Sequence, residues 1–444
     1  MADTAYKFDY GLERPHKTPY EKLWDTAFEF GADLPDAADI DLDNFNVADR
    51  EIWRQDKFHE YFARMRKEAP VHWCPANSSG IGGFWSLTKY KDIMEVDINW
   101  KDFSSSWEHG GIVLGQPTEG FELPMFIAMD PPKHDVQRKT VQGAVGPAML
   151  KQFEPLIRER TQQVLDSLPV GEAFDWVDKV SIELTAMMLA TLFGVDQADR
   201  RKLTHWSDIT TNRENPDLCP GGEEQWKTEL LECLAFFTEH WNDRINKEPV
   251  MDLVSMLAHG ENTKNMEPME YLGNIILLIV GGNDTTRNSM SGSVRAMNLW
   301  PEELEKLKAN HDLIPNFVSE IIRWQTPLAH MRRTALRDVQ IGDKLIKEGD
   351  MVGMWYASGN RDEDFWDEDP NRVIIDRKQA RNHLSFGFGI HRCVGNRLGE
   401  MQMQILWEEL LARFDRIEML DTPSRTANGF VNGYTWMPVM LHAK

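Results

Sequence analysis

Apolar residues recur at the three- or four-residue spacing of an α-helix along most of the chain. The pattern begins at 49–65, and after Pro132 helical segments follow one another through 181–193 and 224–245. A further amphipathic segment covers 396–414. The hydrophobic pattern therefore predicts that most of the chain is helical.

Strand signals are confined to the two ends of this helical region. Short apolar runs predict β-strands at 71–73, 84–87, 339–346 and 351–355. Asn432-Gly433 predicts a tight hairpin, because both residue types accept the positive φ angles of a type I′ turn. We therefore expect a mainly α-helical fold with small β-sheets.

One predicted helix stands out by its length. Between Pro268 and Pro301 the chain runs for more than thirty residues without an internal proline, which is too long for an ordinary surface helix. It should cross the core. Near its middle, residues 281–286 include two glycines and two threonines, and each glycine weakens a helix by about 1 kcal/mol. A requirement other than helix stability has selected these residues.

Charge and cysteine usage narrow the class of protein. The chain has 71 Asp and Glu residues against 49 Lys and Arg, a formal charge of −22, so it should repel nucleic acid and anionic membranes. The four cysteines lack the paired spacing of a disulfide scaffold or a zinc cluster, which favours a reducing compartment. The longest apolar stretch, 271–283, is shorter than the ~20 residues of a membrane span. With no signal peptide pattern at its start, the chain is expected to be cytoplasmic, without a membrane span or a nucleic-acid partner.

The most specific motif is a glycine-rich segment, 383–395. It contains a single cysteine, Cys393, just before a predicted helix. Glycines let backbone N–H groups approach a sulfur, and such donors stabilise a thiolate and tune a metal bound to it. For a lone cysteine, an inert buried thiol is the alternative. The whole string, F-G-x-G-x-H-x-C-x-G, resembles the haem-binding loop of the cytochromes P-450, the haem-thiolate monooxygenases.

This resemblance implies a cofactor, haem b (iron protoporphyrin IX), whose iron is ligated by the thiolate of Cys393. Phe386 would pack near the sulfur, Gly387 and Gly389 would complete the haem loop, and His391 would hydrogen-bond a haem propionate. A thiolate ligand donates electron density towards iron and favours cleavage of the O–O bond.

Further propionate partners are implied by the same resemblance. His134 and Arg138 match an H-x-x-x-R helix of the family, and Arg333 matches the arginine of a later strand. Arg333 is preferred to Arg332 because its distance to Asp338 fits the family pattern. Taken singly, each of these residues is more often a plain surface cation, but a dianionic haem edge requires such charge-assisted contacts.

An E-x-x-R spacing places Glu320 and Arg323 on one face of a helix. Most such pairs are surface salt bridges worth ~0–1 kcal/mol. In the family the pair is buried behind the haem loop and completed by an arginine of a P-x-R segment, which here resembles Pro370-Asn371-Arg372. Glu320, Arg323 and Arg372 are therefore assigned a structural role.

Residues 281–286 resemble the oxygen-activation segment of the family. Gly281 would leave room for haem and dioxygen, and the acid and alcohol of Asp284 and Thr285 can pass protons, which makes them the expected catalytic residues. A helix kink rich in Ser and Thr, or an ion pair of Asp284 with Arg287, is the alternative.

The strings 279–288 and 383–397 resemble a bacterial subfamily that hydroxylates terminal methyl groups of alkanes and fatty acids. Position matching places small or apolar residues around the substrate, with ordinary core packing as the alternative for each. The expected substrate contacts are Leu277, Val280, Leu328, Ala329, Phe430 and Val431, and an early stretch adds Ile112, Val113 and Leu114. Such an apolar tunnel suits a medium-length hydrocarbon chain.

The family resemblance extends from about Asp49 to the end of the chain. It implies one haem-thiolate monooxygenase domain over 49–444, with the long central helix crossing over the haem, and leaves 1–48 as an extended, acidic, proline-punctuated arm. The protein is expected to be a monomer.

Three activities compete. The first is insertion of one atom of O2 into an unactivated C–H bond, the second is a peroxide-driven hydroxylation, and the third is non-catalytic haem sensing. Asp284 and Thr285 favour the first, since peroxide-driven relatives need no proton relay, and no appended signalling domain supports the third.

Electrons must come from outside, because the chain has no flavin or dinucleotide motif. A ferredoxin and a separate NAD(P)H-dependent ferredoxin reductase are implied. Between 371 and 399 six basic residues stand against one acid, so an acidic ferredoxin is expected to dock there, with solvated charges as the alternative. The six basic residues are Arg372, Arg377, Lys378, Arg381, Arg392 and Arg397.

Overall fold

α-Helices make up most of the structure, a computed structural model that describes residues 33–444 apart from 77–80, 82, 116–117, 119, 214 and 216–217. The helices in this part of the chain are α1 (Arg50–Arg54), α2 (Phe58–Glu68), α3 (Tyr90–Ile98), α4 (Lys133–Gln142), α5 (Pro147–Asp166), α6 (Glu183–Phe193), α7 (Arg200–Thr211), α8 (Gly222–Ile245), α9 (Leu253–His259), α10 (Pro268–Leu299), α11 (Pro301–Ala309), α12 (Ile314–Gln325), α13 (Tyr356–Gly359) and α14 (Asn396–Arg413). Across the described residues no helix combines the length and the apolar character needed to cross a membrane.

The strands are short and lie mainly near the two ends of the chain. They are β1 (Val71–Cys74), β2 (Phe84–Leu87), β3 (Phe103–Ser104), β4 (Ala173–Asp175), β5 (Met331–Ala335), β6 (Val339–Ile341), β7 (Lys344–Ile346), β8 (Met351–Met354), β9 (Phe414–Met419), β10 (Ser424–Arg425), β11 (Tyr434–Trp436) and β12 (Pro438–Ala443). The predicted mainly α-helical fold with small sheets is confirmed.

Helix α10 is the long element predicted between Pro268 and Pro301. Pro268 occupies its first turn, where the missing N–H removes no internal hydrogen bond. Most of its residues are buried, and α6, α7, α12 and α14 pack around it. A Cβ atom added at Gly273 would lie 2.2 Å from the carbonyl oxygen of Pro124, whereas one added at Gly281 would meet nothing within 4 Å. Close packing therefore gives way to open space at the middle of α10.

The largest sheet has five strands in the order β1-β2-β8-β5-β3. β2 and β8 run parallel, and the other neighbours are antiparallel. Smaller sheets have the orders β4-β12-β9, β10-β11 and β6-β7. The single strand predicted at 339–346 is instead the hairpin of β6 and β7, in whose turn Gly342 has a φ of 56°.

The tight turn predicted at Asn432-Gly433 is wrong, because neither residue has a positive φ. The side chain of Asn432 donates to the carbonyl oxygen of Gln325 at 2.5 Å, while the Gln325 amide donates back to the carbonyl oxygen of Asn432 at 2.7 Å. At Gly433 an added Cβ would lie 2.7 Å from Nδ2 of Asn288. This glycine serves close approach to α10 and not a turn conformation.

The described part of the predicted N-terminal arm, 33–48, packs on the body of the protein. Its apolar side chains are buried in one cluster with Trp53 and Phe62. The Arg64 guanidinium donates to the carbonyl oxygens of Ala37 at 2.7 Å and Ile40 at 2.8 Å. The rest of the predicted arm lies outside the described residues, and the domain boundary at 48/49 stays a prediction.

Candidate active site

A cavity of about 570 Å³ lies beside the middle of α10 and reaches the glycine-rich segment before α14. Gly281, Thr285 and Cys393 all line it, although more than one hundred residues separate Cys393 from the other two. Contact between α10 and α14 explains this juxtaposition, since an added Cβ at Gly399 would lie 3.5 Å from Oγ1 of Thr286. Three residues of the predicted motifs therefore share one space.

The loop around Cys393 is shaped by its glycines. Gly387 and Gly389 have φ angles of 63° and 65°, a region that favours glycine. The Cys393 N–H donates to the carbonyl oxygen of Phe386 at 2.8 Å, and α14 begins three residues later. Burial raises the pKa of the Cys393 thiol, while the Gly395 N–H, Arg138 and Arg392 lower it. A bound metal ion would convert this thiol to a thiolate, because a coordinating thiol is deprotonated.

Phe386 and Gly387 line the cavity with Cys393, but Gly389 does not. A Cβ at Gly389 would lie 3.0 Å from the carbonyl oxygen of Asp97, at the end of α3. The missing side chain of Gly389 therefore serves packing against α3, and the cofactor contact expected of this residue stays a prediction.

Two buried histidines stand at one edge of the cavity, with ring centroids 4.4 Å apart. Nε2 of His391 lies 2.9 Å from Oγ of Ser105, and Nδ1 of His134 lies 2.7 Å from a carboxylate oxygen of Asp135. The other ring nitrogen of each, Nδ1 of His391 and Nε2 of His134, is buried without a hydrogen-bond partner among the described residues. Buried polar atoms are almost always paired, so these two fit an acidic group of a ligand.

His391 lines the cavity, whereas His134 contacts the His391 ring without lining the cavity itself. His134 therefore lies next to His391, and the propionate contact expected of it stays a prediction, which its buried and unpartnered Nε2 supports. Burial is the largest influence on both rings and lowers the pKa of each, so they are neutral at pH 7. A neutral imidazole still carries one N–H and can donate it to a carboxylate.

Arg138 and Arg333 add two guanidinium groups to the cavity wall. Nη2 of Arg333 donates to Asp97 at 2.9 Å, and Arg138 donates to the carbonyl oxygen of Arg392. Arginines and histidines thus converge at the cavity that Cys393 lines. These residues fit a haem, which needs a thiolate for its iron and cations for its two propionates.

Glu320 and Arg323 form the buried pair that the family resemblance implied for the E-x-x-R segment. Their side chains are fully buried, and Nε of Arg323 lies 2.7 Å from Oε2 of Glu320. The remaining guanidinium N–H groups donate to the carbonyl oxygens of Asn360, Pro370 and Arg372. The pair therefore joins α12 to the segment that precedes the haem loop.

The third member of this cluster is Arg377 and not Arg372, which is a correction. Arg377 is 1% exposed, and its Nε lies 3.0 Å from Oε1 of Glu320. The Arg372 side chain is 46% exposed and pairs with Glu302 at 2.5 Å. The chain turns between the two arginines, so the backbone carbonyl of Arg372 faces the cluster while its side chain faces solvent.

Asp284 and Thr285 lie side by side on α10, yet in different surroundings. Asp284 is buried, 2.8 Å from Nη2 of Arg287, and this guanidinium also reaches Asp208 of α7 at 2.5 Å. The ion pair with Arg287 that the sequence left open is therefore present. Burial is the largest influence and raises the pKa of Asp284 to about 6, against the lowering effect of Arg287. The Thr285 hydroxyl lines the cavity and donates to the carbonyl oxygen of Gly281 at 2.8 Å.

Most of the predicted substrate contacts line the cavity. They are Leu277, Val280, Leu328, Ile112, Val113, Leu114 and Phe430. Ala329 and Val431 do not line it, and their expected substrate contact is corrected. A β-bridge between Leu328 and Val431, and a hydrogen bond of 2.8 Å from the Ala329 N–H to Phe430, bury these two side chains away from the cavity.

Several polar residues of the cavity wall, which come from four separate segments, were not predicted from the sequence. They are Arg50, Thr118, Asn212, Arg213 and Asn428. Asn428 donates to the backbone carbonyl of Thr211, and Arg213 donates to the Thr118 hydroxyl. No motif contains these residues, so the sequence offered no signal for them.

The basic surface predicted for a redox partner is smaller than the sequence suggested. Arg377 is buried on Glu320 and makes no contribution to it. The exposed cations are Arg372, Lys378, Arg381, Arg392 and Arg397. Two of them lie close to Cys393 in the chain: Arg392 directly precedes it, and Arg397 follows it by four residues.

Comparison with known proteins agrees with this geometry. The family model for cytochrome P450 matches residues 223–433. Linalool 8-monooxygenase of Pseudomonas putida is 35% identical, over 89% of this chain and 98% of that protein. Cytochrome P450-153 of Novosphingobium aromaticivorans is 45% identical with a TM-score of 0.82, covering 89% of this chain and 99% of that structure. CYP153D17 of Sphingomonas sp. is 44% identical with a TM-score of 0.83, covering 89% and 98% of the two chains.

Proposed function

This chain belongs to the cytochrome P450 family, and from this premise we propose that it hydroxylates the terminal methyl group of medium-chain alkanes or fatty acids. As a cytochrome P450 it is a monooxygenase that holds haem b through a cysteine thiolate. When bound, the haem supplies the iron centre at which O2 is activated and one oxygen atom is inserted into a C–H bond. The chain's own residues must place the substrate, exclude water and deliver protons.

One observation carries the substrate proposal: the cavity beside Cys393 is walled by aliphatic and aromatic side chains. Leu277, Val280, Leu328 and Phe430 offer apolar surface to a hydrocarbon chain, and burial of such a chain is worth about 0.8 kcal/mol per CH2 group. The resemblance of 279–288 and 383–397 to a terminal hydroxylase subfamily points in the same direction.

Terminal selectivity must come from the shape of the cavity. A methyl C–H bond is stronger than the neighbouring methylene C–H bond, so an unconstrained reaction would attack inside the chain. Side chains such as Leu328 and Val280 would hold the methyl group near the reacting centre and exclude the next carbon. A ten-to-one preference requires only about 1.4 kcal/mol between the two transition states.

Turnover with a panel of substrates tests this proposal. The reconstituted holoenzyme receives octane, decane, octanoic acid, dodecanoic acid and a ring compound, and the products are identified by gas chromatography with mass spectrometry. The proposal expects mainly the terminal alcohol from the linear chains. Mainly subterminal alcohols, or oxidation of the ring compound alone, would contradict the substrate proposal and leave the monooxygenase assignment in place.

Leu328→Ala is expected to raise the share of subterminal alcohol by about tenfold, because it removes a wall that excludes the adjacent methylene. The measurement is the ratio of terminal to subterminal product from one linear substrate. Leu345→Ala is a matched control, since Leu345 is an exposed leucine of β7. An unchanged product ratio in Leu328→Ala would remove Leu328 from the selectivity of the enzyme.

Proton delivery is assigned to Thr285 and Asp284. The Thr285 hydroxyl lines the cavity and can donate from Oγ1, while the neighbouring Asp284 carboxyl can take a proton from the Arg287–Asp208 side, where Asp208 is partly exposed. A pKa of about 6 for Asp284 leaves it able to hold or release a proton near neutral pH. This relay favours O2-dependent turnover over the peroxide-driven alternative.

Thr285→Ala is expected to keep NADH consumption but to yield much less alcohol per NADH, with hydrogen peroxide released instead. The physical reason is loss of the hydroxyl that lines the cavity, where it donates to the carbonyl oxygen of Gly281. The measurement compares NADH, alcohol and peroxide in one reconstituted assay. Thr285→Ser keeps the hydroxyl and should restore the yield, whereas wild-type yield in Thr285→Ala would exclude a role for Thr285 in proton delivery.

For electron supply we propose a ferredoxin and a separate NAD(P)H-dependent reductase. The exposed arginines Arg392 and Arg397 lie next to Cys393 in a chain that is otherwise strongly acidic, so they offer a local docking site to an acidic partner. Such a contact would place the donor near the thiolate side of the haem.

A further inference from the structure

Residues 109–115, named here the wall loop, supply one side of the cavity, and all of them except His109 line it. The loop has an unusual backbone path, since Gly110, Gly111 and Gly115 have φ angles of 101°, 76° and 128°. Glycines lose the most conformational freedom on folding, so three of them in seven residues favour a mobile loop unless other groups hold it.

Side chains of β5, and of the residue just before it, form hydrogen bonds with this loop. His330, Arg332 and Thr334 stand two apart along β5 and the residue before it, so their side chains share one face of the strand. The Thr334 hydroxyl donates to the carbonyl oxygen of His109 at 2.8 Å. The Leu114 N–H lies 3.4 Å from Nε2 of His330, whose Nδ1 lies 2.8 Å from the carbonyl oxygen of Gly429.

Arg332 makes the most extensive of these contacts. Its Nη1 donates to the carbonyl oxygen of Gly115 at 2.9 Å, and its Nη2 donates to that of His109 at 3.0 Å. Its backbone N–H donates to Ile112 at 2.8 Å. One residue therefore joins the first, middle and last positions of the wall loop. The fit is close, because a Cβ on Gly110 would lie 2.1 Å from Nη2 of Arg332.

Arg332 differs from the other buried arginines of the site in its ion pairing. Arg323 and Arg377 share Glu320, and Arg333 pairs with Asp97. Among the described residues no carboxylate pairs with Arg332, whose Nε is also without a partner, and burial alone lowers its pKa to about 10. A buried cation without a counter-ion destabilises a fold. Because Arg332 is such a cation and is hydrogen-bonded to the wall loop, we infer that the position of this loop is important for function.

We propose that Arg332 is a positioning residue that fixes the wall loop and thereby sets which carbon of the substrate is oxidised. Arg332 itself does not line the cavity, so it acts only through Ile112, Val113 and Leu114. With the guanidinium removed, the glycine-rich loop is free to move outward, and the hydrocarbon can slide so that an interior carbon reaches the reacting centre. Arg333, the next residue along the strand, lines the cavity and pairs with Asp97, and its side chain makes no contact with the wall loop in these hydrogen bonds.

Arg332→Met tests the inference in the reconstituted holoenzyme. The ratio of terminal to subterminal alcohol is expected to fall at least about tenfold, because two charge-assisted hydrogen bonds to the loop are lost. The thiolate signature of the ferrous carbon monoxide complex should persist. Arg332→Lys, whose single ammonium can reach one of the two carbonyls, should give an intermediate ratio. Arg337→Met is the control, because Arg337 is exposed and pairs with Asp102.

A second measurement covers the case in which Arg332→Met does not fold. Thr334→Val keeps the side-chain shape and removes one donor to His109, so the amides of the wall loop should exchange with deuterium faster while those of β8 stay protected. An unchanged product ratio in Arg332→Met, or unchanged loop exchange in Thr334→Val, overturns the inference. The proposed function supplies only the choice of substrate: if wild type fails to make terminal alcohols, that function fails, whereas the clamp is still judged by loop exchange.

Discussion

Cys393→Ser is expected to abolish the thiolate signature of the ferrous carbon monoxide complex and to lower alcohol formation below detection. A serine hydroxyl has a pKa far above that of a thiol and remains neutral, so it gives iron neither the charge nor the electron donation of a thiolate. The Gly395 N–H and the two arginines around Cys393 are arranged to stabilise negative charge on sulfur, and an alcohol cannot use them. Absorbance spectra and product analysis measure the two effects.

Cys233→Ala is the matched control for this substitution. Cys233 is buried in α8 and does not line the cavity, and burial raises the pKa of its thiol. Its replacement should leave both spectrum and products unchanged. Survival of the thiolate signature in Cys393→Ser, or its loss in Cys233→Ala, would place the ligand elsewhere in the chain.

The parts of this site that the sequence predicted are those whose geometry is local. The haem loop owes its shape to glycines at fixed offsets from Cys393, and helical spacing places Glu320 and Arg323 on one face of α12. The long helix between Pro268 and Pro301 likewise follows from its own composition. Each of these needs no information about distant parts of the chain.

The parts that the sequence did not predict depend on how separate segments meet. Ala329 and Val431 are apolar like their neighbours, and only the bridge between Leu328 and Val431 decides that they point away from the cavity. The sequence Asn432-Gly433 is typical of a tight turn. In the structure, however, Asn432 hydrogen-bonds with Gln325 and Gly433 packs against Asn288, and both partners lie more than one hundred residues earlier in the chain. Residue type gives no signal for such contacts.

Residue type also gives no signal for the role that we propose for Arg332. Two adjacent arginines, Arg332 and Arg333, are indistinguishable in charge and propensity, and strand alternation sends them to opposite faces. One faces the predicted haem edge, and the other grips the wall loop. The family resemblance predicts the role of Arg333, while the role proposed for Arg332 depends on how residues 109–115 fold against β5.

Arg377 and Arg372 should differ strongly in what they contribute to the stability of the fold. Arg377→Met should lower the free energy of unfolding by about 3–5 kcal/mol, the usual result of removing one partner from a buried ion pair. It also strips hydrogen bonds from the backbone carbonyls of Glu368 and Asp369. Arg372→Met, the matched control, removes only an exposed pair with Glu302 and should change stability by at most about 1 kcal/mol.

Urea unfolding of both holoenzymes, followed by circular dichroism and by haem absorbance, separates these outcomes. Arg377→Met should lose haem at a lower urea concentration than wild type, because Arg377 and Glu320 connect α12 to the segment that leads into the Cys393 loop. Arg372→Met should follow the wild-type curve. If Arg372→Met instead unfolded at the lower urea concentration, Arg372 and not Arg377 would be the third member of the buried cluster with Glu320 and Arg323.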